Sequence, residues 1–454
     1  MSTLFYEYSW NIKFVIPGRD ISFVPYSIVE FTKTCDYFDK FIPSYKLKCK
    51  VLDKHLDFFR IYDKEIIAQI QCYANYGEHQ KHLTEKELLF EDTFAVYVDK
   101  ERIPSFSRMD RTRSTQKAAD TIKGNKYAPN TITNETPIAI SMNLLLRDDL
   151  KMKTYIHNYV FGSEDKPCTP ISAAVACINN NPYIKKFIID KPDNNESYSD
   201  LIVEPGELKQ VLYNIQRKYG IYAKSMELFN DNGVLYVLNK MAHKHSKTKG
   251  EGDLVIVRLY HDVNKLNLNT CVVDDGKGTY VYNRDSKLMV DDSESISALL
   301  NGNKMVFSNF GTVINSMKGD NGKTTFRSPN HELESPVPAR LDVGTKKIVD
   351  YDMLNNPYNM SSYMYEQAMG VPIMFNLTSV NIKNFAPNKN VRVIFDNVQS
   401  NKLYGGTYNI KSAQFIFKTL NEPGNYSRTF GHVILELCNK TDGHDQDYKV
   451  IKPD

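Results

Sequence analysis

Apolar and polar residues alternate with a period of two through much of residues 10 to 98, and this alternation constrains the fold more than any other feature of the sequence. Successive side chains of a β-strand point to opposite faces, so the pattern is typical of strands with one buried face. The clearest run carries Tyr45, Leu47, Cys49 and Val51 on one face and Lys46, Lys48 and Lys50 on the other. We therefore predict an N-terminal β domain.

One short helix and one long insertion interrupt this region. Asp53 is placed to cap a helix that runs through Leu56, Phe59 and Tyr62. Residues 99 to 137 are polar and basic and lack a sustained apolar period, which indicates a long loop. Such a loop can grip an acidic surface of a partner, although a solvated excursion is the more ordinary interpretation.

The middle of the chain mixes strands with helices. Residues 138 to 147 predict a buried strand, and Thr169 and Pro170 can cap and start a helix that runs through Cys177. The best-defined helix lies between Glu207 and Tyr219, with Gly220 at its C-cap, and its apolar stripe is Leu208, Val211, Leu212 and Ile215. This region is therefore predicted to form a mixed α/β module.

A hairpin and a further strand complete this module. Asn232 and Gly233 supply the positive φ angles that a two-residue hairpin turn requires, and a buried strand is predicted from Asp253 to Tyr260. The stretch from Asn264 to Val343 is rich in Gly, Asn, Asp and Ser and predicts a loop-rich region.

Strands are predicted to dominate the end of the chain. A helix is expected from Pro357 to Met369, followed by strands at residues 374 to 382, 391 to 395, 408 to 417 and 432 to 438. In the third of these strands the apolar face switches near Ser412, which predicts a β-bulge there.

Composition excludes several classes of protein. At 454 residues the chain is long enough for two to four domains, and its net charge of +3 is too small to indicate general binding to nucleic acid or to anionic membranes. Seven scattered cysteines without a C-x-x-C pair support neither a disulfide framework nor a zinc site. The sequence has neither a signal-peptide pattern nor a run of about 20 apolar residues, so no membrane insertion is expected.

Four short motifs suggest a catalytic or binding site, but each lacks a feature that such a site requires. Gly322-Lys323-Thr324 lacks the earlier glycine of a phosphate loop, and His331-Glu332 has Ser335 where a helical zinc motif needs its second histidine. His243, His245 and His261 could share a metal, but the first two lie in a lysine-rich turn where solvated histidines are ordinary. Cys177 carries no sign of an activated thiol. We assign no catalytic residue, no cofactor and no metal, although carboxylate pairs that meet only in space stay open.

The last hundred residues carry a distinctive strand pattern at Pro387, Val391, Val393, Phe395, Tyr408, Ile410 and Phe417. This pattern resembles the closing β unit of the baseplate hub proteins of contractile-tailed phages, the family that includes late control protein D. Pro387-Asn388 stands where that family often has Pro-Gly, a mild departure because Asn tolerates a left-handed turn. The helix and hairpin at residues 207 to 239 are similar to the middle of the family.

This resemblance implies a fold and a set of domains. The fold class is α+β and β-rich, with two tail-tube-like β-barrel or sandwich domains, a smaller mixed α/β module and a loop-rich insertion. The expected domains are residues 1–150, a tube-like domain with the basic insertion at 99–137; residues 151–262, the α/β module; residues 263–356, the loop-rich region; and residues 357–454, a second tube-like domain.

The resemblance also implies a function without enzymatic activity. Three copies would form a ring in the tail baseplate of the virion, assembled in the host cytoplasm, that adapts the six-fold tail tube to the three-fold central spike. The implied partners are two further copies of the chain, the tail tube protein and the central spike protein, with the tape measure protein and baseplate wedge proteins as further candidates. Two alternatives stay open: another non-enzymatic tail-tip protein of the distal-tail or tail-associated type, and a cell-wall hydrolase of the tail.

Overall fold

The computed structural model describes the two ends of the chain and most of its middle. The described residues are 2–52, 55–56, 58–59, 65–77, 83–98, 137–153, 155–222, 226–239, 255–260, 271–274, 279–285, 289–290, 324–328, 331–335, 373–378, 380–385, 390–421 and 427–441. The basic insertion and the predicted helix at residues 357 to 369 lie outside these ranges.

Seven strands and a short helix make up the N-terminal region. They are β1 (Ser2–Ile16), β2 (Ile21–Phe23), β3 (Ser27–Asp36), β4 (Ser44–Leu52), β5 (Ile66–Gly77), β6 (Glu85–Val98), β7 (Pro137–Leu146) and helix α1 (Arg147–Met152). The inward residues of β4 are buried and its lysines face outward, as the alternation predicts. Leu56 and Phe59 of the predicted short helix are also buried.

The middle region forms the α/β module. Its elements are β8 (Tyr155–Ile156), β9 (Tyr159–Phe161), α2 (Pro170–Asn179), β10 (Lys186–Ile189), β11 (Leu201–Val203), β12 (Gly206–Glu207), α3 (Leu208–Tyr219), β13 (Met226–Asp231) and β14 (Val234–Asn239). Strands β10, β14 and β13 form a small sheet, and both helices contribute to the separate core that covers it.

The predicted cap of α2 is confirmed, because Thr169 accepts a hydrogen bond from the Ser172 backbone N–H. At the start of α3 the structure adds a capping box between Glu207 and Gln210, which was not predicted. Gly220 ends α3 with a φ of 75°. The β13–β14 turn has positive φ at both Asn232 and Gly233, so the predicted hairpin is confirmed.

The remaining strands belong to the second half of the chain. They are β15 (Val255–Tyr260), β16 (Cys271–Asp274), β17 (Thr279–Asp285), β18 (Met289–Val290), β19 (Thr324–Ser328), β20 (His331–Ser335), β21 (Ile373–Thr378), β22 (Asn390–Phe395), β23 (Gly406–Asn421) and β24 (Ser427–Thr441), with a 3-10 helix (Ile382–Phe385) and helix α4 (Val398–Tyr404).

Eight strands close into an antiparallel barrel. Their order around the barrel is β23, β3, β4, β7, β6, β5, β1 and β24, and β24 pairs again with β23. Six of these strands come from the first 150 residues and two from the last 50, so both ends of the chain are required to close it. The β-rich fold class with a tube-like barrel is confirmed, whereas the four domain boundaries stay a prediction.

Aromatic side chains fill the barrel. Phe417 of β23 makes ring contacts with Tyr8, Trp10 and Phe31, at centroid distances of 4.7, 5.1 and 6.1 Å. Gly431 of β24 is needed here because a Cβ atom at that position would lie 2.5 Å from the Tyr8 ring. The barrel interior is therefore a packed core, to which both ends of the chain contribute.

A second group of strands continues from the same two long strands. The first residues of β23 pair with β22, which continues through β15 to β17 and β16, while β24 pairs with β21 along residues 432 to 437. Strands β23 and β24 therefore run from this second sheet into the barrel. The register shift between Ile410 and Ser412 confirms the predicted bulge.

Two predicted strands need correction. The strand predicted at residues 374 to 382 ends at Thr378, and Ile382 begins a 3-10 helix. The strand predicted as buried at residues 138 to 147 has one exposed face, because β7 forms part of a barrel wall, and it ends at Leu146 where α1 begins. An apolar run alone does not reveal that one face of the strand meets solvent.

We expect Phe417→Ala to destabilise the whole barrel. Loss of a buried ring costs about 3 to 5 kcal/mol, and the emission of Trp10, the single tryptophan of the chain, should shift to longer wavelength as water enters. Urea unfolding followed by fluorescence measures both effects. Leu420→Ala, on the same strand but 47% exposed, is the control and should change stability by less than about 0.5 kcal/mol. Unaltered unfolding of the Phe417→Ala variant would contradict the barrel core described here.

Candidate functional site

The β13–β14 hairpin of the module enters one end of the barrel. Lys33 of β3 shares the inward face of its strand with Phe31 and Cys35, because the three residues are spaced by two. The Nζ atom of Lys33 lies 2.5 Å from Oδ1 of Asp231 and 3.0 Å from Oδ1 of Asn232 at the tip of the hairpin. The barrel and the module are thus joined by a charged contact between residues about 200 positions apart.

This ion pair is almost completely buried. The side chains of Lys33 and Asp231 are 8% and 6% exposed. Burial lowers the pKa of Lys33, but Asp231 together with Tyr45 and Cys35 outweighs burial, and the pKa of Lys33 is well above its ordinary value. Lys33 is therefore charged throughout the physiological range of pH, and each partner of the pair would be left as an isolated buried charge without the other.

Aromatic rings and a second polar contact surround the pair. The Phe229 ring contacts Tyr37 and stacks on Tyr236, each at 4.8 Å. The backbone N–H of Asn230 donates to the carbonyl of Phe41 at 2.7 Å, and the Asn230 side chain donates to Asp149 of α1. The hairpin tip is thus fixed by packing, by backbone pairing and by charge.

Burial also changes the protonation of neighbouring groups. It raises the pKa of Asp149 to about 7 and raises the pKa of Asp92 on β6. The Cys35 thiol and the Tyr45 hydroxyl are buried as well, and burial raises the pKa of each, to about 12 for Cys35. These two groups are therefore neutral near pH 7.

A polar cavity of about 280 Å³ opens beside this cluster. It is lined by Glu91, Asp92, Thr93, Leu146, Arg147, Asp148 and Lys151. Both signs of charge are present, and Arg147 pairs with Glu65 at 3.2 Å. Among the described residues, no group of three or more His, Cys, Asp or Glu side chains is arranged to hold a metal ion. The contacts of Lys33, Asp149, Asn230 and Asp231 therefore form a joint between two folded units, the barrel and the module.

The structure describes only part of the motifs that the sequence analysis rejected. His331 and Ser335 lie on β20, a strand, so the helical spacing of a zinc motif does not apply. Thr324 begins β19, and Gly322, Lys323, His243, His245 and His261 lie outside the described residues. Cys177 is buried in α2, and burial raises the pKa of its thiol to about 11, which disfavours a reactive thiolate.

Sequence reasoning missed the four residues that carry the joint: Lys33, Asp149, Asn230 and Asp231. A signal existed for Lys33, since it occupies the apolar face between Phe31 and Cys35. A lysine at such a position needs a buried partner of opposite charge. Nothing in the sequence identified that partner as a residue in a hairpin turn of another unit.

The outer face of the barrel is polar and ordered. Across β1, β5 and β6, Asn11 donates to Gln71 at 3.3 Å, and Gln71 donates to Glu91 at 2.9 Å. Further along β6, Tyr97 is 64% exposed beside the outward residues of β7, which pairs with β4 and its lysines. Cross-strand side-chain pairs of this kind stabilise a barrel wall.

No helix in the described part of the chain has the length and apolarity that crossing a membrane requires.

The fold and the joint define a class: a β-rich protein built on a closed eight-stranded barrel, with a mixed module inserted into one end. The chain belongs to the family described as Bacteriophage PBS1 gene 109 protein, whose model matches residues 7–435. This membership confirms the prediction of a bacteriophage protein. The matched residues begin in β1 and end in β24, the first and last barrel strands along the chain. Among curated proteins, none matches the chain.

Several solved structures are similar to the chain at low sequence identity. A chain of the Francisella PdpA-VgrG complex has 10% identity and a TM-score of 0.34, with 99% of this chain and 60% of that chain covered. The E. coli c3393 protein, described as a type VI secretion component similar to the T4 tail proteins gp27 and gp5, has 8% identity, a TM-score of 0.39 and coverage of 93% and 76%. The p2 virion baseplate in its activated conformation has 10% identity, a TM-score of 0.28 and coverage of 93% and 90%. The chain thus spans 60% of the length of the Francisella chain that it matches.

We expect Lys33→Met to destabilise the protein by about 3 to 5 kcal/mol, because Asp231 is left buried without its partner. The double variant Lys33→Met with Asp231→Leu should recover most of this loss, since it removes both charges. The matched control is Lys218→Met, which breaks a pair with Glu204 of the same 2.5 Å length at an exposed site and should cost at most about 1 kcal/mol. Urea unfolding measures all three, and equal effects at Lys33 and Lys218 would contradict a buried joint.

Proposed function

We propose that this protein is the structural hub of a phage tail baseplate, in which three copies form a ring that adapts the six-fold tail tube to the three-fold central spike. The observation that carries the proposal is the course of β23 and β24, which run from the second sheet into the barrel. Two β units per chain lie side by side in this way, and three chains would supply six such units.

Membership of a bacteriophage family supports this proposal. So does the position of the residues that resemble the hub family, since Tyr408, Ile410 and Phe417 all lie on β23 and are buried. Val391, Val393 and Phe395 lie on the neighbouring β22 and are also buried. The resemblance therefore falls on β23, which the two β units share, and on β22, which pairs with β23 in the second sheet.

The physical properties of the barrel suit a load-bearing ring. Each of its eight strands pairs with a neighbour on both sides, which limits uncontrolled pairing with other chains. The joint at Lys33 and Asp231 holds the module against the barrel, so a force applied to one unit is transmitted to the other. In this proposal the protein has no enzymatic role, needs no cofactor, and acts within the tail baseplate of the virion after assembly in the host cytoplasm.

The partners follow from this position. The ring would contact the tail tube protein on one side and the central spike protein on the other, with the tape measure protein and baseplate wedge proteins as further neighbours. No specific nucleic-acid binding and no membrane insertion are part of the proposal. The segment at residues 99–137, which is basic in sequence, is a candidate for contact with an acidic neighbour.

We expect the purified full-length chain to be trimeric, either alone or after addition of the spike protein encoded in the same genome. Native mass spectrometry measures the state directly, and quantitative mass spectrometry of purified virions should give three copies per particle. Copy numbers in multiples of six would indicate a tube, distal-tail or wedge protein instead. A chain that stays monomeric with tube and spike proteins present would contradict the hub.

The hydrolase alternative has its own test. We expect no clearing when the purified protein is run in a gel that contains bacterial cell wall, because the proposal gives it a mechanical role only. A tail lysin from another phage serves as the positive control. Clearing that disappears on replacement of a carboxylate, such as Asp92→Asn beside the cavity, would establish an enzyme and overturn the proposal.

A further inference from the structure

Asp149 and Asn230 share one hydrogen bond in the joint, and each has a second side-chain polar atom that is buried. Asp149 and Asn230 are each 1% exposed, and Nδ2 of Asn230 donates to Oδ1 of Asp149. Within the described part of the chain, Oδ2 of Asp149 and Oδ1 of Asn230 have no hydrogen-bond partner. Leaving two such atoms unsatisfied in a protein interior costs about 1 to 3 kcal/mol each, so an unassigned interaction between them is expected.

One proton satisfies both atoms. A carboxyl group and a primary amide are planar and each has two polar atoms, so a pair joined at one side can be joined at the other. If Oδ2 of Asp149 carries the proton, its O–H can donate to Oδ1 of Asn230 while the existing N–H bond stays in place. The result is a cyclic pair with two hydrogen bonds and no net charge.

The charges around the pair favour the same protonation. Three carboxylates, those of Asp231, Asp149 and Asp92, act on one buried ammonium group, that of Lys33. Cys35 and Tyr45 also act on Lys33, but both are neutral near pH 7 because burial raises the pKa of each. Asp148 and Glu91 act on Asp92 and raise its pKa further. With every carboxylate ionised the cluster would carry a net charge of about −2 in a low dielectric, which is unfavourable. A proton on Asp149 reduces that excess.

We propose that Asp149 and Asn230 form a proton-dependent latch, a carboxylic acid–amide pair that holds the module's hairpin in the end of the barrel. The latch joins α1, which follows the last N-terminal strand of the barrel, to the hairpin tip, where the Asn230 backbone also bonds to Phe41. Loss of the proton removes one of the two hydrogen bonds and places a second uncompensated carboxylate near Asp92. The hairpin then keeps the Asn230–Asp149 N–H bond, the backbone bond to Phe41 and the Lys33–Asp231 contact, but it loses the second bond of the latch.

The direction of the pH effect follows from the pKa values. Burial raises the pKa of Asp149 in the folded protein to about 7, from an ordinary value of 3.8. A proton bound by the folded state and not by the unfolded state stabilises the folded state. This stabilisation is fully present below the ordinary pKa and is lost as the pH rises to about 7. The latch is therefore closed in mildly acidic solution and weakened in alkaline solution.

Asp149→Asn tests the latch, because an amide at position 149 can make both hydrogen bonds at any pH. Urea unfolding of the full chain between about pH 5 and pH 8 should change the ratio of the wild-type and Asp149→Asn unfolding constants at least about tenfold. The matched control is Asp148→Asn, on the same helix with its side chain 65% exposed, which should follow the wild type. Parallel pH dependence of the wild type and Asp149→Asn would overturn the latch.

Two further measurements locate the effect. Hydrogen exchange should be measured above about pH 7, with wild type and Asp149→Asn at the same pH. Relative to β5, residues 226 to 239 should exchange faster in the wild type than in Asp149→Asn. If that variant does not fold, carbon NMR of wild-type protein labelled at the aspartate carboxyls should detect a single buried carboxyl that titrates near pH 7. Titration of every aspartate below about pH 5 would overturn the proposal.

Discussion

Backbone pairing between the two ends of the chain is the constraint on which the rest of the structure depends. Strand β23 lies between β3 and β24, and β24 in turn meets β1 at Thr429 and Tyr8. Without these contacts the six N-terminal strands form an open sheet whose aromatic face would meet water. The same two strands also pair with strands of the second sheet, so closing the barrel also fixes the position of that sheet. The proposed role as a hub rests on this shared pair of strands.

The joint at the end of the barrel ties the module to this framework. Lys33 reaches the hairpin tip from inside the barrel, and Asp231 and Asn232 accept its hydrogen bonds. Such a buried contact adds little net stability compared with an apolar one, but it is highly selective for one arrangement of the two units. In the proposed hub, which would keep its shape while neighbours attach, that selectivity would be the more useful property.

Local patterns made much of the fold predictable from the sequence. The alternation in β4, the caps of α2 and α3 and the Asn232-Gly233 turn depend on residues a few positions apart, and each is confirmed. The bulge near Ser412 was predictable too, because the buried residues change phase between Ile410 and Ala413. Short-range periodicity is sufficient for features of this kind.

Contacts between distant residues could not be predicted in the same way. The packing of Phe417 on Trp10 and the pairing of Lys33 with Asp231 link residues about 400 and 200 positions apart, and no period in the sequence connects them. The joint was missed because a single sequence reveals that Lys33 has an apolar face around it, but not which carboxylate meets it. The resemblance to phage hub proteins predicted two tube-like units, but it did not predict that the barrel and the second sheet share β23 and β24.

A cross-link between β3 and β23 tests the central claim most directly. Ala413 lies opposite Cys35 in the antiparallel register of these strands, and both are buried. The Ala413→Cys variant, oxidised under mild conditions and digested, should therefore yield a disulfide between positions 35 and 413, identified by mass spectrometry. Ile416→Cys, whose partner is Thr32, should give no such link. Absence of the link between positions 35 and 413 in a folded Ala413→Cys protein would contradict a barrel closed by both ends of the chain.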